Sequence, residues 1–528
     1  MSGVKIKKNL KSIIKNVIPA LLLSILTGLF TAVFVIFYLF CAKYVILASN
    51  ISYSFVKEHL YLIPAILGLF LLIAMVLSRI YAKHKNIRGG NISTSFAALR
   101  GVVKFSWIKN LFGVFAISLI MFFIGLPFCA EGPTVLMGTA IGHGIINIFA
   151  RKQKQWDRFI MTGGASAGFA VATGAPLSGM IFVLEEAHKK ISPMLILTSF
   201  ISVLVACITS RFLSPLVGLS YSLFEIESVY ILGLNDLWVP IVLGVIFGVF
   251  AVGFLKLYKI INKFSKHTLK KVPLVFKIFT VFTITLGFGL WSLDFLYSGH
   301  SLIENLFAGE ALIYMLVIIL LFRAINMLFA NSTGLTGGLF VPIITLGALF
   351  SAIIAQIMIK YCGVSSDLYL IIIILGVIAC IASIMRMPIT AVVLSIEIFA
   401  CQSNILSVIL VTVISFAIVY VFNLKSINEK AIESRILEMH GDNKPTAIDT
   451  SVVVQKGAFV IGKQIRDVFW PNTLFVCSVI HDSKKVENID EYGEGEIREG
   501  DVLNIRYSSY NELSVKEEMK YLVGTSEF

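Results

Sequence analysis

The sequence predicts an all-α polytopic membrane protein that ends in a small α/β domain, and three observations favour this fold class. Of the 528 residues, 57% are hydrophobic and only 14% are charged, and the mean hydropathy is +0.88. Several apolar runs reach the roughly 17 to 25 residues that a helix needs to cross a hydrocarbon core. Charged residues become frequent only beyond Asn423. Up to that point the composition excludes a soluble globule.

The apolar runs predict membrane-spanning helices and not the strands of a barrel. They are continuous and lack the alternating pattern of barrel strands. The clearest runs are Val17 to Phe40, Leu60 to Leu77, Met194 to Ser210, Trp238 to Leu255 and Tyr369 to Met385. The segments Gly163 to Gly179 and Gly334 to Gly347 are shorter and contain glycine and proline, so we expect half-spanning or re-entrant helices there.

The net charge of +13 comes from short Lys and Arg clusters beside the apolar runs. The clusters are Lys5, Lys7, Lys8 and Lys11; Lys83, Lys85 and Arg88; Arg151, Lys152 and Lys154; and Lys263, Lys266, Lys270 and Lys271. This placement is typical of cytoplasmic loops and argues against nucleic acid as a partner. We therefore predict a multi-pass protein of the cell membrane with both termini cytoplasmic and a basic N-terminal segment at residues 1–16.

Cysteine and histidine spacing indicates no metal centre. The seven cysteines contain no C-x-x-C pair, which also argues against a disulfide framework. His143 lies in a glycine-rich helix and is interpreted as a packed or pore-facing residue. Because no nucleophile triad or phosphate loop is present, we predict that the protein is not an enzyme and carries no cofactor.

Two segments indicate a duplicated half. Residues 174–185 read GAPLSGMIFVLE and residues 386–397 read RMPITAVVLSIE, and each ends in a glutamate nine residues after its proline. Repeated halves with broken helices at matched positions are a transporter pattern, with the binding site near the bilayer midplane. We place the halves at about residues 17–215 and 230–424 of a membrane domain, 17–424. Chance similarity between small-residue helices is the alternative.

Glu131 is the leading candidate for a functional side chain. It follows Ala130 and precedes Gly132 and Pro133, at a predicted helix start between apolar stretches. An ionised carboxylate costs several kcal/mol in such a place unless it is paired or wet. The positive helix end also attracts anions, so a carboxylate and an anion would compete for one site. A helix cap formed by Glu131 remains the structural alternative.

These motifs resemble those of the CLC anion channels and transporters. Residues 131–142 (EGPTVLMGTAIG) are similar to the G-(K/R)-E-G-P helix of that family, residues 162–186 to the segment that follows it, and residues 337–342 (GGLFVP) to the G-x-F-x-P motif. The resemblance covers roughly residues 15 to 425. It implies a CLC fold of two inverted repeats with broken helices and a homodimer with one anion pathway per subunit.

The resemblance also implies residue roles. Glu131 falls on the external gating glutamate, and Glu186 on the internal proton-transfer glutamate of many exchangers. Glu185 and Glu186 at a helix end in cytoplasmic solvent are the alternative. The implied anion-binding positions are Gly89, Gly90, Asn91, Gly132, Leu339, Phe340 and Asn428.

The sequence departs from the family pattern at several of these positions. Residues 89–93 read GGNIS where the family has G-S-G-I-P, so Gly90 lacks the serine hydroxyl and Asn91 is the candidate replacement donor. Cys129 and Ala130 replace the glycine and the basic residue before the gate. The position of the central tyrosine falls on Asn428, or on Glu429 after a one-residue shift. The anion and the coupling ratio therefore stay open.

The tail contains predicted strands at Leu474 to Ile480 and Val502 to Arg506 and a polar helix at Asn511 to Leu522. Its segments 462–471 and 498–501 resemble the C-terminal lobe of RCK (TrkA-C) regulatory domains, here residues 446–528 after a linker at 425–445. This resemblance implies a dimeric cytoplasmic sensor, with cyclic di-AMP as a possible ligand. A tail that only dimerises is the alternative.

From these observations we predict anion transport, with chloride as the first expectation, by proton-coupled antiport gated by Glu131 and regulated by the tail. A passive gated chloride channel and a fluoride/proton antiporter are the alternatives. Glu186 favours exchange, whereas Gly90 and Asn428 leave a loose internal constriction that favours passive conduction.

Overall fold

The computed structural model describes residues 17–103, 106–151, 153–188, 192–224, 226, 228–309, 312–440, 446–471, 474–481, 484–486, 495–509 and 512–525. Two parts are visible within these residues. A large helical bundle comes first, and a four-stranded sheet covered by one helix follows. The predicted basic segment at residues 1–16 lies outside the described residues.

Helices make up the whole of the first part. Its first half contains α1 (Ile18–Glu58), α2 (Ile63–Lys83), α3 (Asn91–Leu99), α4 (Trp107–Ile124), α5 (Glu131–Phe149), α6 (Asp157–Thr173), α7 (Pro176–Val183), a π-helical turn (Leu184–His188) and α8 (Pro193–Leu216). Its second half contains α9 (Trp238–His267), α10 (Leu274–Trp291), α11 (His300–Ala308), α12 (Ile313–Ser332), α13 (Phe340–Cys362), α14 (Tyr369–Ile384), α15 (Pro388–Glu397), α16 (Ile405–Val421) and α17 (Ile427–His440).

Ten helices of the described residues are long and apolar enough to cross a membrane. Their exposed side chains are large and apolar, as a lipid-facing surface requires. The chain is therefore a multi-pass membrane protein, and the all-α polytopic prediction is confirmed.

Glycine and proline residues set the boundaries of helices α6, α7 and α15. Proline opens α7 and α15, where the missing N–H is no loss because a first-turn amide has no partner inside the helix. Gly174 ends α6 in the left-handed region with φ 72°. The segment Gly163 to Gly179 thus contains two helices separated by a break, in agreement with the sequence.

The expectation for Gly334 to Gly347 was wrong. The glycine-rich loop ends at Gly338, and α13 then runs for 23 residues from Phe340 to Cys362 with Gly347 inside it. Its span has a mean hydropathy of 2.1. The apolar residues after Gly347 extend α13 to the length of a full membrane span, which the glycine-rich start of the segment did not indicate.

Small residues bring α5 and α6 into close contact. A Cβ at Gly138 would lie 2.0 Å from the Gly164 carbonyl oxygen, and one at Gly164 would lie 2.1 Å from that of Gly138. Only glycine at both positions allows this approach, in keeping with the small-residue interfaces of membrane helices. The glycine-rich run therefore packs the helix that begins at Glu131.

The second part is a small α/β fold. Its strands β1 (Thr446–Val453), β2 (Leu474–His481), β3 (Lys484–Val486) and β4 (Val502–Ser509) form an antiparallel sheet in the order β1-β4-β2-β3. Helix α18 (Glu512–Val523) buries Val515, Met519 and Leu522 in a separate apolar core. The predicted strands and final helix are confirmed. The segment 425–445, predicted as a linker, holds α17.

Candidate functional site

Three loops that precede helices lie side by side within the bundle. Gly90, before α3, forms a parallel bridge with Gly337, before α13. Cys129, before α5, exchanges two backbone hydrogen bonds of 3.1 and 3.2 Å with Gly338. The N-termini of α3, α5 and α13 are thereby brought together. Because unpaired N–H groups and the helix dipole favour negative charge, this convergence suits an anion.

Glycine is required where these loops touch. A Cβ at Gly132 would lie 2.5 Å from the Cα of Gly338, so no larger residue fits between α5 and the loop before α13. Gly89 has φ +86°, a conformation that side chains rarely adopt. These two predicted site residues therefore shape the backbone around the site.

A cavity of about 20 Å³ lies at the helix N-termini. A space of this size holds roughly one water molecule or small ion. The predicted site residues among its lining are Gly90, Asn91, Leu339 and Asn428. Gly90 and Leu339 are the residues immediately before α3 and α13. The cavity is the best candidate for an anion site in the part of the chain that the structure describes.

Gly89, Gly132 and Phe340 adjoin this cavity without being among the described residues that line it. Phe340 is the first residue of α13, and its ring packs against Phe169 at 5.0 Å between centroids. Its side chain thus points away into the apolar core, and its backbone amide is the group at the helix start.

Asn91 brings an amide with no partner to the cavity. The side chain is fully buried, and neither Nδ2 nor Oδ1 has a hydrogen-bond partner among the described residues. Buried amides are nearly always hydrogen-bonded, and leaving one unpaired costs about 1–3 kcal/mol. An anion in the cavity would satisfy Nδ2.

Glu131 is the first residue of α5, and its side chain is 4% exposed. The preceding residue, Ala130, provides no side-chain cap, whereas the Glu131 carboxyl group accepts a hydrogen bond from its own backbone amide at the helix start, so a cap formed by Glu131 remains the structural alternative. Its Oε2 has no partner in the described structure. The Cys129 thiol donates a second hydrogen bond to the carboxyl group. A buried carboxyl group without an ionic partner in the described structure is typical of a functional site in a membrane protein.

Glu186 lies in the π-helical turn after α7 and is 8% exposed. The Asn428 amide donates to both of its carboxyl oxygens at 3.0 Å, and the Ser426 hydroxyl donates to Oε1 at 3.3 Å. Glu186 is therefore buried and not at a solvated helix end. Asn428 both lines the small cavity and hydrogen-bonds Glu186, so one side chain connects the cavity with this carboxyl group.

Arg100 supports the turn that carries Glu186. Its Nη2 donates to the Glu186 carbonyl at 2.7 Å and its Nε to the Ala187 carbonyl at 2.8 Å. Neither Arg100 nor Ser426 is a site residue in the sequence analysis. Ser426 is two residues from Asn428, so the motif that pointed to Asn428 could also have pointed to Ser426. No local pattern links Arg100 to residues more than 80 positions away.

The repeated glutamates form a reciprocal contact between the halves. Glu185 accepts hydrogen bonds from the backbone amides of Ile389 and Thr390, at the start of α15, at 3.1 and 2.9 Å. Glu397 accepts bonds of 2.8 Å from the amides of Leu177 and Ser178, at the start of α7. Each carboxylate thus caps the broken helix of the other half, as helix dipoles favour.

A basic vestibule of about 510 Å³ adjoins the small cavity. Gly90, Ser93 and Asn331 line both spaces. Eight cationic side chains line the vestibule, namely Lys85, Arg88, Lys259, Lys263, Lys266, Lys425, Lys430 and Arg435. Glu433 is the carboxylate found among the described lining residues, and it pairs with Lys425. A cluster of positive charge of this kind attracts anions.

No group of three or more metal-ligating side chains occurs among the described residues. His143 packs beside Asp157, with 2.8 Å between Nδ1 and Oδ1. All seven cysteines are free thiols.

The tail docks on the start of α6. Arg158 forms an ion pair of 2.6 Å with Glu518 of α18. Phe459 packs against Trp156 with 5.0 Å between ring centroids. Phe469 reaches the ring of His188, at the end of the turn that carries Glu186, with 4.9 Å between centroids. The tail is therefore in contact with the neighbourhood of the internal carboxyl group.

The fold and the clustered helix starts define a membrane protein with a candidate anion pathway, and comparison with known proteins places it in a family. The family model described as voltage gated chloride channel matches residues 69–420, which is more than half of the chain. The chain belongs to this family, the CLC proteins.

Two curated relatives are H(+)/Cl(-) exchange transporters named ClcA. The chain is 29% identical over 286 residues to that of Vibrio parahaemolyticus, and 30% identical over 291 residues to that of Vibrio campbellii. Each alignment covers 52% of this chain and 58% of the relative. The chain therefore spans little more than half the length of the curated relatives it matches.

Solved structures share the fold. A slow cyanobacterial Cl−/H+ antiporter gives a TM-score of 0.69 at 21% identity and covers 79% of this chain and 98% of its own. A CLC-type fluoride/proton antiporter gives 0.62 at 18% identity, with coverages of 76% and 95%. The predicted CLC fold with a small additional domain is confirmed.

Proposed function

We propose that the protein exchanges anions, in the first place chloride, for protons across the cell membrane. The observation that carries the proposal is the double role of Asn428, which lines the anion cavity and hydrogen-bonds the buried Glu186. A second buried carboxyl group, Glu131, lies at the start of α5 beside the same loops. Two buried carboxyl groups, one hydrogen-bonded to a residue of the cavity lining and one beside the loops that form it, are the elements that coupled transport needs. The names of the curated relatives support the same activity.

The anion path runs from the vestibule to the helix N-termini. Cationic side chains raise the anion concentration at the mouth, and Gly90, Ser93 and Asn331 form the passage to the cavity. In the cavity the amide of Asn91 and the starts of α3 and α13 replace part of the hydration shell. Glu131 gates the outer side. When ionised it competes with the anion for positive helix ends, and when protonated it releases them.

The proton path uses the same two carboxyl groups. Glu186 receives or delivers the proton on the side of the vestibule and the tail, and Glu131 does so on the other side. Asn428 and Ser426 stabilise the ionised form of Glu186 by hydrogen bonding. A bound anion next to Asn428 competes for its amide, so anion occupancy changes the proton affinity of Glu186. This competition couples the two fluxes.

Fluoride/proton exchange is the second candidate, and Asn91 favours it. The unpaired Asn91 amide faces a space of about 20 Å³, and a small anion with a strong hydrogen-bond demand gains most from such a donor. Passive conduction is the remaining alternative, because Gly90 and Asn428 leave the inner side without the hydroxyl and the aromatic ring of the family pattern.

Flux from proteoliposomes with simultaneous pH recording tests the proposal. Wild type and Glu131→Gln are compared in chloride and in fluoride gradients. We expect an anion gradient to drive protons against their own gradient in wild type and not in the variant. Anion flux without proton movement in wild type would establish a channel instead. A faster coupled flux in fluoride than in chloride would establish the second candidate.

The proposed topology places both termini and the tail in the cytoplasm. Lys85 and Lys263 from two separate clusters line one vestibule, and the third cluster contributes Lys154, which lies over the ring of Tyr521 in the tail. Basic groups gathered on one side support a cytoplasmic face under the positive-inside rule.

We also propose a homodimer in the bilayer. Helices α7, α8, α15 and α16 each expose large apolar side chains, among them Leu177, Phe200, Ile389 and Ile409. A second copy on these helices would leave one anion pathway in each subunit. Single-molecule photobleaching in liposomes would count the subunits.

The tail is proposed to be a regulatory RCK_C-like domain. Its support is the contact of Phe469 with His188, close to Glu186. Cyclic di-AMP is the ligand that the resemblance implies. Titration calorimetry on the full chain that gives no heat with cyclic di-AMP would remove this ligand, and a tail that only dimerises would then be favoured.

A further inference from the structure

A second cavity, of about 450 Å³, lies between the tail and the helical bundle. Its walls are the segment Ile465 to Pro471 and strand β2 on the tail side, and Arg100, Arg158, His188 and the start of α8 on the bundle side. The described residues that line it differ from all those that line the small cavity and the vestibule, so it is a separate space. Its volume lies in the range of small-molecule sites.

The cavity is basic. Arg100, Arg158 and Arg466 line it, and the described lining residues contain no carboxylate. Arg158 is paired with Glu518, which lies outside this lining, and Arg466 Nε donates to the Gln464 side chain at 2.8 Å. The guanidinium group of Arg100 donates to two backbone carbonyls, which are uncharged acceptors. A phosphoryl group is an acceptor that suits arginine geometry in such surroundings.

Ser192 supplies an independent pointer to a ligand. Its side chain is 7% exposed, and Oγ has no hydrogen-bond partner in the described structure. Ser192 is the residue before α8, a helix of 24 residues, and does not cap it. Ser192 and Leu195 line the cavity, so the first turn of α8 opens onto it. A buried hydroxyl without a partner at a helix N-terminus is a place for an anion's oxygen.

Aromatic side chains form the opposite wall. Phe469, Trp470 and Phe475 line the cavity on the tail side. The Trp470 indole nitrogen donates to the Ile465 carbonyl at 2.9 Å, which fixes its ring. A flat ring on a ligand would pack against this wall.

We propose that this cavity binds a small phosphorylated compound, with its phosphate at Ser192 and the arginines and its apolar part against the aromatic wall. A soluble mononucleotide and the headgroup of an anionic lipid both have this chemistry.

The site would act on transport, and this step rests on the function proposed above. Phe469 lines the cavity and contacts the His188 ring, and Arg100 lines it and holds the carbonyls of Glu186 and Ala187. A ligand bound between Phe469 and Arg100 would contact both of the side chains that pack against or hydrogen-bond the turn carrying Glu186. Occupancy would therefore change the rate of proton exchange without entering the anion path.

Equilibrium dialysis of the full-length protein in detergent with radiolabelled AMP tests binding directly. Arg466→Gln removes one lining cation, and Arg506→Gln removes an equally charged residue that pairs with Asp449 on the exposed face of the tail. We expect saturable binding to wild type and to Arg506→Gln. Binding to Arg466→Gln should be weaker by roughly tenfold or more, since it loses a hydrogen bond between two charged groups. Ser192→Ala should weaken binding several-fold.

Two further arms identify the source of the phosphate. Displacement of AMP by phosphatidic acid in nanodiscs, with no displacement by phosphatidylcholine, would assign the site to a lipid headgroup. Failure of both AMP and phosphatidic acid to bind would overturn the proposal, as would equal loss in the two arginine variants or equal affinity for adenosine and AMP. Because the readout is binding, these results do not depend on which ion the protein transports.

Discussion

Replacing Asn428 by leucine removes the side chain that connects the anion cavity to Glu186. Its amide donates to both carboxyl oxygens at 3.0 Å. A hydrogen bond to a charged group contributes about 1.5–3 kcal/mol, which corresponds to a factor of roughly 10 to 150 in the equilibrium between the ionised and protonated forms. Loss of the bond therefore shifts Glu186 toward its protonated form and slows proton release.

The assay is chloride-driven proton pumping in proteoliposomes, with both fluxes recorded together. We expect Asn428→Leu to lower the number of protons moved per anion several-fold while anion flux continues. Asn331→Leu is the matched control, because Asn331 lines the same cavity and has no hydrogen bond to Glu186. A proton-to-anion ratio that is unchanged in Asn428→Leu, or equally reduced in both variants, would refute the coupling role.

Three more predictions concern local structure. Gly90→Ser should fold, since its Cβ would meet only a side-chain oxygen at 3.4 Å, and the new hydroxyl should lower the chloride concentration for half-maximal flux about tenfold. Gly132→Ala should lower the melting temperature or prevent folding, because overpacking against backbone costs about 1–3 kcal/mol or more. The control Gly253→Ala, which has open space around its Cβ position, should leave the protein folded. Thermal unfolding in detergent compares the two variants. Burial lowers the pKa of Lys463 in the tail to about 7, with Asp467 offsetting part of the effect. The folded state thus binds fewer protons, so its stability should rise with pH from about 7 toward the ordinary lysine pKa near 10.4, and thermal unfolding of Lys463→Met should lack this slope.

The sequence predicts the membrane part well because its signals are local. Long apolar runs identify the spanning helices, and the glycine and proline residues around Glu131 and Pro176 identify helix starts whose position follows from backbone chemistry. The length of α13 was missed, since a glycine-rich start masks the apolar run that follows it.

The candidate site is harder to predict because its contacts join distant positions. Glu186 and Asn428 are 242 residues apart and meet through hydrogen bonds. The resemblance placed the central position on Asn428, with Glu429 as the alternative after a one-residue shift. The structure places the Asn428 amide on Glu186 and at the cavity. The docking of Phe469 on His188 has no counterpart in any local pattern, because it depends on how two separate cores meet.

The exchange of caps between Glu185 and Glu397 has a consequence for biogenesis. The amides at the start of α7 are satisfied by a carboxylate that lies 220 residues later in the chain, so they have no such partner while only the first half has been synthesised. Unpaired amides in a membrane cost several kcal/mol. Until the second half has been synthesised, α7 must therefore stay near the aqueous surface or be shielded by a chaperone. Assembly of the two halves then becomes a single late event, and a chain truncated before Glu397 should be recognised as unfinished.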